Sequence, residues 1–466
     1  MIDYTLPLDQ LPDPLPIEPL RKPFDVTMTP PGSKSITCRA YVLAALAKGE
    51  SRIIRPLRAE DTDYLLNALC TLGAEARWVP GDGHDGEDVL ITGVAGRFPR
   101  GGSVYLGDGG TPTRFMIACA CLAAEPVVVD ASPRMRERPI AEGVDMLRRL
   151  GAKIEYVEQE GRLPVRVTPS TNLRGGELTV GKTASSQFIS AVVLVASFLQ
   201  VPTRVRFAEP VISEPYIDVT CDVLATWGVI VARELHGESN GPTHTHHGKP
   251  IVIAPREVRS RRSEVEADAS SAVYWAAAAA MIPTACVRFQ RLRWNSIQPD
   301  MEILEVLSIA GARYGSDTSN RLFVQGRHRL EQASAGASGF PDGAMALAVA
   351  AASSSSPTSI TGLATLRVKE TDRIAALASE LRKVGCAVET GEDWIKITPP
   401  SGSSSHRSSD PASPIIIETY NDHRMAMAFA VLGLNPTGGR PLAIRNPKCV
   451  AKSYPTFWRD FARLYQ

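Results

Sequence analysis

The residues of this chain best suited to chemistry stand where helices are expected to begin. Pro30 to Gly49 (PPGSKSITCRAYVLAALAKG) runs from a Pro/Gly turn into a long apolar helix, with Ser33, Lys34 and Ser35 at its start. Unpaired backbone N–H groups and the helix dipole attract anions at such a place. Arg39, four residues after Ser35, projects from the same helix face. No Gly directly precedes Lys34, so this is not a Walker loop, and a capped helix with two surface cations fits the segment equally well. Tyr105 to Ala123 (YLGDGGTPTRFMIACACLA) repeats the design. Gly107, Gly109 and Gly110 allow close backbone approach to a ligand, and Arg114 follows at the start of an apolar helix. Pro112 occupies the place of the third Gly of a dinucleotide fingerprint, and a plain Gly-rich turn is the alternative. Arg134, Arg136 and Arg138 alternate in PRMRERPI and in an extended segment share one side, as planar forks for phosphate or carboxylate. Ser185, Ser186 and Gln187 open another helix, as caps or as hydroxyl and amide contacts to a polar ligand.

The second half of the chain is built alike. Asp268 and Asp342 precede apolar helices, and for Asp268 a structural N-cap is the expected role. Lys369, Glu370, Asp372 and Arg373 crowd five residues ahead of a helix, Asp422, His423 and Arg424 open another, and NPKCVAKSYP adds Lys448 and Lys452. At least six helices thus start on polar or charged residues and become nearly apolar. If those starts converge, they form a strongly positive site in a nearly neutral protein, suited to a multiply charged anion or to two of them.

The elements that must position these residues recur. LLNALCTLGAEARWV, VDMLRRLGAKIEYV, CDVLATWGVIVA, LEVLSIAGARYG and LASELRKVGCAVET each read as amphipathic helix, Gly, short strand, with the glycines at 73, 151, 228, 311 and 385. Apolar residues recur at helical spacing before each Gly, which suits a left-handed C-cap. A period near 77 is too long for a solenoid and fits tandem α/β subdomains, about six along 466 residues, grouped three and three. A sixth glycine falls near the C-terminus, where the chain ends on the helical FWRDFARLYQ. Residues 236–249 and 399–414 read as polar surface loops, and His244, His246 and His247 as part of a solvated loop rather than a metal site.

Lys plus Arg number 51 against 50 Asp plus Glu, net +1, which argues against a dedicated nucleic-acid or membrane-surface binder. The longest apolar run, Ala272 to Ile282, falls well short of the roughly 20 residues that span a membrane. The acidic, proline-rich start is not a signal peptide. Eight cysteines without CxxC pairs, among them Cys119, Cys121 and Cys286 in apolar runs, read as buried thiols of a cytoplasmic protein.

In order along the chain, PGSKSxxxRAxxLAAL, GTxxR, RERPI, SSQF, EPYID, DASSA, PDGAM, RVKETDR, TYNDHRMAM and PKCxAKSYP resemble the 5-enolpyruvylshikimate-3-phosphate synthase family, from Pro30 to Phe461. The resemblance implies a transferase of aromatic amino-acid (chorismate, shikimate-pathway) biosynthesis. It moves the enolpyruvyl group of phosphoenolpyruvate to the 5-hydroxyl of shikimate 3-phosphate, releases phosphate, and uses no metal or organic cofactor. It also implies a monomer with the inside-out α/β fold of two domains, each of three βαβαββ copies, with the site in the cleft between them. The domains map to residues 34–266 and to 1–33 with 267–466. Ser35, Arg39, Ser185, Ser186, Gln187, Ser213, Asp342 and Lys369 are then shikimate 3-phosphate contacts. Lys34, Gly110, Arg138, Gln187, Arg373, Arg424 and Lys452 surround phosphoenolpyruvate. Asp342 is the base for the 5-hydroxyl and Glu370 the acid for the methylene carbon, with Lys34 counted among the catalytic groups. Proton removal from a hydroxyl and delivery to carbon need at least two carboxyl groups of separate pKa. The chain departs from the family pattern at Asp108 (usually Asn), Phe115 (often Pro) and Thr365 (an Asn that contacts shikimate 3-phosphate). Two other readings are a sugar-nucleotide (UDP-N-acetylglucosamine) enolpyruvyl transferase and a non-catalytic anion binder of the same fold. The first commonly carries a Cys acid near the glycine loop, whereas Cys119 and Cys121 lie in an apolar helix. The second is expected to lack one carboxylate, and both are present.

Overall fold

Gly73, Gly151, Gly228, Gly311 and Gly385 each stand one place beyond a helix C-cap, with φ between 78° and 118°. They do so in the computed structural model, which describes residues 2–233, 249–332, 334–400, 413–435 and 439–466. His244, His246 and His247, and most of 399–414, lie outside the described residues. At Gly151 the close fit alone demands glycine, since a Cβ would lie 2.0 Å from the Asn172 carbonyl oxygen. A strand follows each of these helices and turns back as an antiparallel hairpin, as in Lys153–Tyr156 with Val165–Thr168.

Five sheets have four strands in one shared order. In one of them Gly102–Tyr105 runs parallel to Val127–Asp130, which is antiparallel to Val165–Thr168, with Lys153–Tyr156 outermost. A parallel neighbour requires a crossover, and helix Gly110–Ala120 supplies it here. The pattern is βαβαββ. Three copies are completed by distant strands, one of them by Asp25–Met28 beside Cys286–Phe289. Arg262–Glu264 closes the first sheet beside Lys48–Ile54, and Leu15–Ile17 pairs antiparallel with Leu442–Ile444 in the last. That last sheet has three strands, and among the described residues its copy has no hairpin of its own. The sixth glycine expected near the C-terminus is therefore missing: the chain ends in Phe457–Ala462 and Arg463–Tyr465.

The chain divides into two compact units, Gly32–Val265 and Met1–Pro31 with Glu266–Gln466. It passes from one to the other slightly earlier than the sequence suggested. Each has its own core of three mutually packed helices. These are Lys34–Leu46, Gly110–Ala120 and Ser186–Ala196 in the continuous unit, and Ala269–Met281, Ala344–Ala352 and His423–Gly433 in the other. The last three are buried along their whole length, as helices apolar on every face must be. Their polar character is left to the starts, where the chain enters them. All eight cysteines are free thiols. Among the described residues no helix is long and apolar enough to cross a membrane.

Candidate active site

In the unit holding residues 266–466, two N-caps set two arginines. Asp372 accepts from the Ala375 N–H at 3.0 Å at the head of Arg373–Lys383. Asp422 accepts from the Arg424 N–H at 2.9 Å at the head of His423–Gly433. Arg373, only 1% exposed, then donates in three directions. Its Nε and Nη2 reach Asp422 at 2.7 and 3.2 Å, Nη2 reaches Glu370 Oε2 at 2.9 Å, and Nη1 reaches Asp342 Oδ1 at 2.8 Å. Arg424 gives Nη2 to Asp342 Oδ2 at 3.1 Å and Nη1 to the Ser270 carbonyl at 3.3 Å, tying in the start of a third buried helix. Lys369 Nζ lies 3.3 Å from Asp342 and Lys452 Nζ 2.9 Å from Glu370. Four cations thus enclose three carboxylates.

Burial on its own would raise the Asp342 carboxyl. Arg424, Lys369 and Arg373 outweigh it and hold Asp342 well below the usual carboxylate range. Burial lowers Arg373, but Asp422, Glu370 and Asp342 more than offset that, so its charge is permanent. Asp300, 1% exposed and bonded by the Ser270 hydroxyl, is shifted the other way, by burial and by the Asp342 charge. Asp342 and Glu370 thus sit at opposite ends of one guanidinium.

The unit Gly32–Val265 carries the other expected residues. Lys34 opens its helix, with Nζ 3.2 Å from buried Asp61. Arg39 is 1% exposed and so is not a surface cation. Its Nη1 donates to the Ser35 carbonyl at 2.8 Å, Nε to Thr220 Oγ1 at 2.8 Å and Nη2 to the Tyr216 carbonyl at 3.0 Å, and its Cζ lies 5.2 Å from the Phe115 ring centroid. Burial pushes its pKa down to about 10. Gly110, first in its helix, faces Arg138: a Cβ there would lie 2.8 Å from both Nη atoms.

The three alternating arginines do not share one side. Ser132 N-caps a helical turn, Pro133–Arg136, accepting from the Met135 N–H at 3.1 Å, and proline at the first position favours helix over strand. Arg134 pairs with Glu137, Arg136 with Asp130 and Glu158, and only Arg138 faces the glycine loop. Ser185 is a cap, its Oγ accepting from the Gln187 N–H at 3.3 Å, and Ser186 is the first helical residue. Glu142 fixes the approach to them, accepting from Thr183 Oγ1 at 2.5 Å and the Ala184 N–H at 2.9 Å. Gln187 Oε1 accepts from Arg114 Nη1. Ser213 takes φ 58°, the left-handed backbone that non-glycine residues adopt rarely and often at functional sites.

The sequence profile of EPSP synthase (3-phosphoshikimate 1-carboxyvinyltransferase) matches residues 20–461. The chain belongs to the EPSP synthase family. Within that family it is 37% identical over 448 residues to the 3-phosphoshikimate 1-carboxyvinyltransferase of Yersinia pestis, covering 94% of this chain and 96% of that one. To the enzyme of the same name from Actinobacillus succinogenes it is 38% identical over 450 residues, covering 94% and 97%. EPSP synthase from Acinetobacter baumannii superposes with a TM-score of 0.74 at 26% identity, covering 96% of this chain and 97% of that chain. The enolpyruvyl transferase NikO from Streptomyces tendae shares the fold, with a TM-score of 0.69 at 17% identity, 96% of each chain being covered.

Of the three positions at which the sequence reading expected another residue, two have structural roles. Asp108 accepts from the hydroxyl of the cap Ser132. Phe115, 1% exposed, lies in the core beneath Arg39. Thr365 is buried, its hydroxyl without a hydrogen-bond partner among the described residues. Asp422, Asp61 and Glu142 hold the expected site residues in place, and the sequence reading singled out only Asp422 among them, as a helix-start residue. Among the described residues no group of three or more His, Cys, Asp or Glu could hold a metal ion.

Proposed function

We propose that this protein transfers the 1-carboxyvinyl group of phosphoenolpyruvate to the 5-hydroxyl of shikimate 3-phosphate. The hydroxyl oxygen bonds to C2 of phosphoenolpyruvate while its proton goes to Asp342, and Glu370 delivers a proton to C3. Loss of phosphate from C2 and of a proton from the new methyl group then restores the double bond. Arg373, Arg424 and Lys452, with Lys34, Arg138, Gln187 and the Gly110 N–H, hold phosphoenolpyruvate and the charge that develops on departing phosphate. Ser35, Arg39, Ser185, Ser186, Gln187, Ser213, Asp342 and Lys369 receive shikimate 3-phosphate. The same reading takes the protein to act as a cytoplasmic monomer, in keeping with its eight free thiols.

One observation carries the proposal: buried Arg373 joins Asp342 and Glu370, each of which is also held by a lysine. It supports reading the two carboxyl groups as an acid–base pair among cations fit for an anionic substrate. The test is phosphate release from phosphoenolpyruvate, with shikimate 3-phosphate and UDP-N-acetylglucosamine as rival acceptors. Release with shikimate 3-phosphate alone is expected. Release with the sugar nucleotide alone, or with neither, overturns the proposal.

A further inference from the structure

Arg114 has no role in the chemistry above, yet it links two helix starts that do. It lies one turn beyond Gly110 in the same helix, is 5% exposed, and rests its Cζ 4.7 Å from the ring centroid of Phe188. Its Nη1 donates to Gln187 Oε1, in the first turn of Ser186–Ala196. A glutamine amide has an acceptor end and a donor end of nearly the same shape, and a half-turn exchanges them. Guanidinium removes that freedom. It carries five N–H donors, no acceptor and a permanent charge, so only the oxygen of Gln187 can face it. The NH2 end is thereby turned away from Arg114. A partly exposed Gln187 held in this way offers two donors and no acceptor to whatever it meets.

We infer that Arg114 is a positioning residue for phosphoenolpyruvate, locking Gln187 with its amide donors toward the substrate's anionic oxygens. The inference rests on the proposed reading of Gln187 as a substrate contact and adds the reason for its polarity. Without Arg114 the amide turns over, and in the turned state its oxygen faces an anion. The same bond braces the start of the Gly110 helix against that of the Ser186 helix, so the loss should appear in phosphoenolpyruvate affinity rather than in the chemical step.

A double-mutant cycle on the full-length protein tests this, with phosphoenolpyruvate KM and kcat as readouts. Arg114→Met keeps an unbranched apolar stem on the Phe188 ring and removes every donor. It should raise phosphoenolpyruvate KM about tenfold, near what one charge-assisted hydrogen bond is worth, and change kcat less than about threefold. Gln187→Ala should raise KM similarly, and adding Arg114→Met to it should cost nothing further. Gln187→Glu, which keeps the bond to Arg114 but presents an oxygen outward, should bind phosphoenolpyruvate more weakly than Gln187→Ala. That comparison stands even if Arg114→Met fails to fold. Additive KM effects in the cycle, or a Gln187→Glu variant that binds at least as well as Gln187→Ala, overturn the inference while leaving an active parent's assigned function intact. A parent that releases no phosphate overturns the function itself.

Discussion

Asp342 is clasped by three cations before any ligand arrives, and that sets both its contribution to stability and the basicity on which its proposed role depends. Its folded pKa lies below the ordinary value. The stability it adds is therefore full above the unfolded carboxyl pKa, near 4, and is lost as pH falls through the lowered folded value. Each unit of lowering is worth about 1.4 kcal/mol. Asp342→Asn should thus be less stable than the parent to urea at pH 7, with the gap narrowing as pH drops toward 2.5; an equal gap at both pH values would count against the ion cluster. A carboxylate so held is a weak base. An anionic substrate competes for Arg424, Arg373 and Lys369 and so restores basicity where it is needed. The same variant should lose about 10²–10⁴ in turnover. Gly110→Ala makes the second residue-scale case. Its Cβ meets the tip of a flexible side chain, Arg138, so the protein should fold normally while the guanidinium shifts. Phosphoenolpyruvate KM should rise about 5–30-fold, the loss of roughly 1–2 kcal/mol of charge-assisted bonding, and Tm should hardly move. Unchanged KM would separate Arg138 from the substrate. Glu370 and Arg373 stand out in the sequence because charge crowds ahead of an alanine-rich helix, whereas Asp342 is singled out as a base only by the family resemblance. The second role of Asp422 has no such signal. A carboxylate at a helix start is commonplace, and nothing in the sequence spacing shows that this one also grips Arg373 from another helix.

The C-terminal helix Phe457–Ala462 has the clearest energetic role among the single elements. Trp458, 1% exposed, packs edge-on against Phe457 and Phe461, and its Nε1 donates to the Pro447 carbonyl at 2.9 Å. Pro447 begins the short 3₁₀ helix that ends on Lys452, so the indole braces the turn that brings Lys452 to Glu370. Trp458→Ala should cost about 3–5 kcal/mol by urea denaturation, the range for an aromatic core deletion. A loss under 1 kcal/mol would mean that the helix is an ornament on the core. At this scale the repeat was open to reading from sequence because five helices end on a glycine that their C-caps require. The sixth copy followed from the period, but the source of one of its strands had no local signal. Its missing strand, Leu15–Ile17, comes from the opposite end of the chain, and no local pattern announces a partner so far away. The PRMRERPI segment failed for the reverse reason: its alternating charges looked like a strand, while the Ser-Pro pair before them had already set a helical turn.

At the scale of the whole molecule, the two units have separate cores. The division of the chain has a further consequence, for its synthesis. Gly32–Val265 is continuous and can fold once it clears the ribosome, whereas the other unit needs both ends of the chain. Strands Leu15–Ile17 and Asp25–Met28 leave first, yet their partners Leu442–Ile444 and Cys286–Phe289 come only after the whole continuous unit has been made. At about 5–20 residues per second that wait is tens of seconds at the slower rate. A waiting strand is an open edge for a wrong neighbour, and prolines and charges are what blunt such edges. Pro7, Pro12, Pro14, Pro16, Pro19 and Pro23, with Asp3, Asp9, Asp13 and Glu18 among them, make this opening segment a poor template for stray pairing while it waits for its own partners.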